Sequence, residues 1–235
     1  MGGGECRTND YGAAAYWDAR YSSSSSSSGG GGGGVEFFEW YQTYEALRPL
    51  LRARLPTSSR VLMLGCGNSL LSEDMVKDGY EEMDARDMSY FGDETFDCVL
   101  DKGTLDAMMC GDDAPLGASK MLAEVARLLR PGGIYMLITY GTPKERLQLL
   151  YQAGFHRKIE LYIMPTPGYQ SKWSKNASLA QPIIQEVSLT EDGQLPPDCV
   201  LKDPESHFIY VCQKSDAANG TNSVVANEGE TTASK

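Results

Sequence analysis

Two short stretches hold residue types that could do chemistry. In the first, the apolar run Arg60–Leu64 leads into Gly65-Cys66-Gly67-Asn68, and a helix-forming segment follows. Glycines let the backbone turn tightly at the end of a strand, and the next helix offers free N–H groups, so this is the architecture of a nucleotide or nucleoside pocket. The full dinucleotide fingerprint would need a third glycine, and Leu70 stands there. Its absence argues against a nicotinamide or flavin dinucleotide and for a ligand without phosphates, such as S-adenosylmethionine. In the second stretch, Phe96–Leu100 reads as a buried strand and runs into Asp101-Lys102-Gly103-Thr104-Leu105-Asp106. Asp101 and Asp106 thus fall where strand ends face the ligand crevice of an open α/β sheet. They are the candidate catalytic carboxylates.

Other chemistries have little to draw on. Six cysteines show no C-x-x-C spacing, and there are only two histidines, so no metal site is expected. The net charge of −11, from 21 basic against 32 acidic side chains, comes without a basic stripe. That opposes nucleic-acid binding and favours a basic protein partner. No apolar run reaches membrane-spanning length and none forms a secretory leader, so a cytoplasmic protein is expected.

The elements that position these residues follow from periodicity. Tyr11–Tyr21 reads as a short aromatic helix. From Glu36, Phe37, Trp40, Tyr41, Tyr44, Leu47, Leu50 and Leu51 recur every three or four residues as one apolar helix face, ended or kinked near Pro49 and stopped by Pro56. A helix over 118–130 ends at Pro131-Gly132-Gly133. Ile134–Thr139, Ile159–Ile163 and His207–Cys212 are further strands, and the proline-rich stretch 165–200 reads as an excursion loop holding at most short strands. Alternating strands and helices mean an α/β layer fold with a mostly parallel sheet. Four segments result: an N-terminal aromatic piece over 1–21, a linker of seven serines and six glycines over 22–34, one domain over 35–214, and a disordered tail over 215–235.

The three stretches VLMLGCGNSLLSEDM, FDCVLDKGTLDAMM and LAEVARLLRPGGIYMLITYG, with YWDARY and SHFIYVC, resemble the seven-stranded methyltransferases. More narrowly they resemble the methyltransferase-like branch that methylates lysines of elongation factor 1A, in particular its plant members. The resemblance implies a Rossmann-like class I three-layer sandwich with a reversed last strand, S-adenosylmethionine as cofactor, and a protein lysine as substrate. It also implies cofactor-site positions. Trp17, Tyr21 and Trp40 match aromatics lining the cofactor pocket, and Gly65 matches the loop contact, with Cys66, Gly67 and Asn68 continuing that loop. Asp84-Ala85 matches an Asp-Val pair near the adenine, with alanine in place of valine, and Lys102 matches a lysine at the cofactor. On residue type alone, the aromatics serve equally as core and Lys102 as a solvated lysine.

One departure bears on activity. Only 28 residues separate Gly67 from Phe96, and the helix after the glycine loop takes about ten. The remainder is too short for strand, helix and strand, since a βαβ unit needs roughly 30 residues. One βα unit is therefore missing, and with it the acid expected on the second strand for the ribose. Either Glu82 or Asp84 takes that part, or the pocket is impaired and the chain is a binding or regulatory form. Binding of S-adenosylmethionine is accordingly expected to be weak unless one of them substitutes.

The serine–glycine run is expected to be dispensable for folding. Replacing residues 22–34 by four residues changes loop-closure entropy by about 1 kcal/mol at most, so thermal unfolding should stay cooperative; loss of cooperativity would mean that the run is packed.

Overall fold

The computed structural model describes residues 11, 13–23, 40–65, 88–111, 114–155, 158–169 and 184–215. In chain order these form α1 (Ala14–Ser23), α2 (Tyr44–Arg54), β1 (Val61–Leu64), β2 (Phe96–Lys102), α3 (Thr104–Met108), α4 (Ala114–Leu128), β3 (Leu129–Thr139), α5 (Pro143–Gln152), β4 (Lys158–Met164), β5 (Gln185–Val187) and β6 (His207–Gln213). Helix α1 runs two residues into the serine tract. The remainder of that tract, the glycines and the tail from residue 216 lie outside the described residues.

The strands make one six-stranded sheet in the order β1-β2-β3-β6-β4-β5. β1, β2 and β3 pair in parallel, and β6 pairs antiparallel with both β3 and β4. Strands β1 to β4 therefore all run one way, and the last strand is reversed between two of them. β5 returns antiparallel along β4. This is the α/β sheet with a reversed last strand expected from the sequence.

Both faces of the sheet are covered, which is why its strands read as unbroken apolar runs. Val61, Met63, Cys98, Leu100, Met136 and Ile138 pack with Leu47, Leu50 and Leu51 of α2. Their neighbours Leu62, Leu64, Val99, Tyr135 and Leu137 turn to the other face, against Leu122 and Val125 of α4 and Leu147 and Leu150 of α5. Three layers result.

Several boundaries differ from the sequence expectation. The apolar helix does not run through Trp40 and Tyr41; it starts at Tyr44, capped by Thr43, whose hydroxyl accepts from the Ala46 N–H at 3.4 Å. Tyr41, at φ +62°, cannot be helical. Pro49 lies within α2 and does not end it. It removes one backbone bond, while the leucines on either side hold the helix to the sheet. Helix α4 starts at Ala114 and stops at Leu128. Arg130-Pro131-Gly132-Gly133 belongs to β3 as a bulge, since Phe96 faces Leu129 and Cys98 already faces Ile134. Helix α5, not anticipated, carries a signal at its start: Glu145 Oε2 accepts from the Thr142 N–H at 2.8 Å, half of a capping box.

β1 stands at one edge, with β2 as its one sheet neighbour among the described residues. Residues 66–87, where the missing unit was inferred, lie outside them.

The buried face of α4 can be checked by denaturant unfolding. Leu122→Ala empties a fully buried site and should cost about 2–5 kcal/mol. Leu116→Ala, at 56% exposure, should stay within about 0.5 kcal/mol. Equal losses would mean that the helix buries a different face.

Candidate functional site

Parallel strands place their carboxyl ends on one edge, and here that edge collects the polar residues. β1 ends at Leu64-Gly65, β2 at Asp101-Lys102 and β3 at Thr139-Tyr140; reversed β6 brings His207 to the same edge, beside Met164 at the end of β4. Ligands of open α/β sheets bind outside such ends.

Asp101 is fully buried. Its carboxylate accepts from the backbone N–H of Thr104 at 2.8 Å and of Leu105 at 3.2 Å, and from the Tyr135 hydroxyl at 2.9 Å. It thus closes the amino end of α3. Burial raises its pKa to about 7 against these hydrogen bonds, and the nearby Asp106 adds to the rise.

Asp106 lies in the first turn of α3 and is equally sealed, at 2% exposure. Its Oδ1 pairs with the Arg146 guanidinium of α5 at 2.7 Å and accepts from the Thr139 hydroxyl. Its Oδ2 accepts from the Tyr41 hydroxyl at 2.8 Å and from the Tyr140 N–H at 3.3 Å. Both candidate carboxylates are therefore enclosed by protein donors, and whatever they do to a substrate they do through their partners.

The partners face outward. Tyr41 is half-buried and Tyr140 is 51% exposed, with ring centroids 6.1 Å apart. Burial, and then Asp106, pushes both phenols above their ordinary range. Tyr41 meets the His207 ring edge-on at 4.8 Å. Gln42, fully buried, has its side-chain nitrogen 2.7 Å from the Pro165 carbonyl and 2.9 Å from His207 Nδ1. One amide hydrogen goes to each, which leaves the imidazole proton on Nε2. Burial lowers the His207 pKa and favours that neutral ring.

Two glycines make room. Gly65 is exposed and left-handed at φ +53°, and a Cβ there would lie 2.6 Å from the Thr104 hydroxyl, which donates to the Leu64 carbonyl at 2.8 Å. Gly103, at φ +84°, passes beneath Tyr41, where a Cβ would fall 2.5 Å from the ring. A tyrosine at positive φ is itself strained by about 1–2 kcal/mol.

Of the residues singled out from sequence, Trp17 and Trp40 come together, with centroids 6.1 Å apart. Tyr11 lies against both, and the Arg20 guanidinium sits 5.7 Å from the Trp40 ring centroid. Lys102 Nζ donates to the Trp40 carbonyl at 2.8 Å and so ties this aromatic group to the end of β2. Gly65 stands at the end of the neighbouring strand. The side chain of Tyr21 and all of Cys66, Gly67, Asn68, Asp84 and Ala85 lie outside the described residues. Spacing gave no sign of Tyr41, Tyr140 or Arg146 as site residues, because they meet Asp106 only through the fold. Among the described residues no group of His, Cys, Asp and Glu could hold a metal, and no helix is long and apolar enough to cross a membrane.

Comparison with known proteins gives the chain's relatives. Residues 63–137 match the family model described as a methyltransferase domain. The chain is 30% identical over 203 residues to EEF1A lysine methyltransferase 4 of Mus musculus, covering 66% of this chain and 75% of that protein. It is 32% identical over 209 residues to the eEF1A lysine and N-terminal methyltransferase of Danio rerio, covering 77% of this chain and 28% of that longer protein. Among solved structures it is similar to an S-adenosylmethionine-dependent methyltransferase of Thermotoga maritima, a possible histamine N-methyltransferase, with a TM-score of 0.46 and 14% identity over 74% of this chain and 90% of that one.

The protonation of Asp101 has a consequence for stability. Its folded pKa of about 7 exceeds the ordinary 3.8, so between these values the folded state holds a proton that the unfolded state has lost. This carboxyl's contribution to stability therefore falls as pH rises from about 4 to about 7 and is level above. Denaturant unfolding of Asp101→Asn across that window should show a flatter pH dependence than the parent; identical slopes would contradict the assignment.

Proposed function

The chain belongs to the family of the EEF1A lysine methyltransferases, and on that footing we propose that it transfers a methyl group from S-adenosylmethionine to a lysine of elongation factor 1A in the cytoplasm. The observation that carries the reading is the 30% identity to EEF1A lysine methyltransferase 4 together with a polar, aromatic-rimmed edge at the carboxyl ends of β1, β2 and β3. A net charge of −11 suits a protein partner presenting lysine.

Among the described residues, the exposed left-handed turn at Gly65, the paired indoles Trp17 and Trp40, and Lys102 would hold the cofactor. Cys66, Gly67, Asn68, Tyr21, Asp84 and Ala85 are the further positions that the family resemblance assigns to it. The fit rests on the exposure of Gly65 at the end of β1 and on the indole rings, one of which already takes the Arg20 guanidinium and which by type attract a cation such as a sulfonium. When bound, S-adenosylmethionine supplies an activated methyl group on that sulfonium. The protein's task is then to hold a neutral amine in line with it, which is a matter of positioning. Asp101 and Asp106 serve here as fixed anchors, one capping α3 and the other holding Tyr41 and the Tyr140 backbone at the rim.

A second reading is favoured by one observation, the 28 residues between Gly67 and Phe96. With no ribose acid on a second strand, the chain would bind its protein partner without turning over. Incubation with elongation factor 1A and S-adenosylmethionine labelled in the methyl group, read by mass spectrometry of the peptides, is expected to give labelled lysine. Calorimetric binding of elongation factor 1A with no label transferred would put the second reading in its place. Neither binding nor label would overturn both.

A further inference from the structure

Several independent features converge on one half-buried side chain. Tyr41 takes a left-handed backbone at φ +62°, and Gly103 gives up its Cβ to let the ring pass. Its hydroxyl donates to Asp106 at 2.8 Å, and that carboxylate is itself held by Arg146 at 2.7 Å. Its ring edge rests on His207, which Gln42, the next residue in the chain, holds at Nδ1. Backbone strain of this kind persists where the surroundings over-determine a position, and such positions gather at functional sites. A tyrosine acting only as a structural peg could be accommodated with ordinary φ and without a facing glycine.

We propose that Tyr41 orients the primary amine of the substrate, with Tyr140 as the facing wall of its entry; this inference rests on the methyl-transfer reading above. The chemistry is matched on three counts. The two ring faces attract a lysine side chain while it still carries its charge. The Tyr41 hydroxyl spends its proton on Asp106, so its oxygen is left to accept an N–H from the amine. Arg146 neutralises Asp106, so the carboxylate bonded to the phenol does not lock the amine as an ammonium ion. Tyr41 keeps its proton throughout and removes none from the substrate. It fixes where the nitrogen lone pair points, and the proton of the amine leaves to solvent.

The full chain carries the test. Tyr41→Phe keeps the ring and removes the hydroxyl; in the labelled-methyl assay it should lower kcat about tenfold while KM for S-adenosylmethionine stays within about twofold. Tyr140→Ala should instead raise KM for elongation factor 1A about fivefold with little change in kcat. A merely structural role would lower the melting temperature, lower kcat and raise KM together. A second measurement needs no turnover: n-butylamine, which reproduces the lysine side chain, should show saturation-transfer NMR contacts with the parent that are lost on joint Tyr41→Ala and Tyr140→Ala substitution. Turnover of Tyr41→Phe equal to the parent, or butylamine contacts that are absent or survive the joint substitution, would overturn the proposal. A parent that methylates nothing but binds butylamine through these rings would sink the methyl-transfer reading, and with it the role in turnover, while keeping Tyr41 and Tyr140 as an amine-binding site.

Discussion

The buried pair of Asp106 and Arg146 is the contact on which the polar edge depends. An ionised carboxylate at 2% exposure is tolerable only with its charge balanced and its lone pairs filled, and removing one partner of such a pair typically costs 3–5 kcal/mol. Asp106 meets the requirement by drawing on four residues from three separate elements: Arg146 from α5, Thr139 and Tyr140 from the end of β3, and Tyr41 from the segment before α2. Its own helix, α3, is only five residues long. That helix is held at its other end by Asp101, whose carboxylate closes it and takes the Tyr135 hydroxyl. Two carboxylates five positions apart therefore tie the end of β2 and α3 to β3, α5 and the segment before α2.

That arrangement bears on what the carboxylates can do. The sequence offered them as groups that meet a substrate, and the structure encloses both. A buried, fully bonded carboxylate is a rigid acceptor, which is what a positioning task asks of it. The groups around Tyr41 and Tyr140 are aromatic, and they suit the approach of a cationic side chain that must later become neutral. The division of labour is anion inside, aromatic outside.

The strand order around that edge is the one expected of the class. β1, β2, β3, reversed β6 and β4 succeed one another, and the core on both faces is continuous. Residues 66–87, where the sequence reads as short, lie outside the described residues, and the hydrogen bonds that hold Asp101, Asp106 and Tyr41 are all made by residues within the described part.

Local patterns in the sequence determined a good deal. Apolar runs of strand length gave β1, β2, β3, β4 and β6, because strands covered on both faces must be apolar throughout. The glycine turn and the DKGTLD stretch marked the edge where chemistry would lie. Boundaries were lost where a local signal was overruled. The three- and four-residue spacing carried the helix back through Trp40 and Tyr41, but Tyr41 is instead held left-handed by Gly103, His207 and Asp106, each far away in the chain. Pro131-Gly132-Gly133 read as a break and is a bulge inside β3, kept by pairing with β2. Helix α5 was missed although Thr142 and Glu145 announce it. The types and places of Asp101 and Asp106 could thus be read from the chain; their burial, the partnership of Asp106 with Arg146 forty residues on, and the exposure of the tyrosines could not. A residue's neighbours along the chain set its local conformation, whereas solvent and hydrogen-bond partners are assigned only when distant segments pack together.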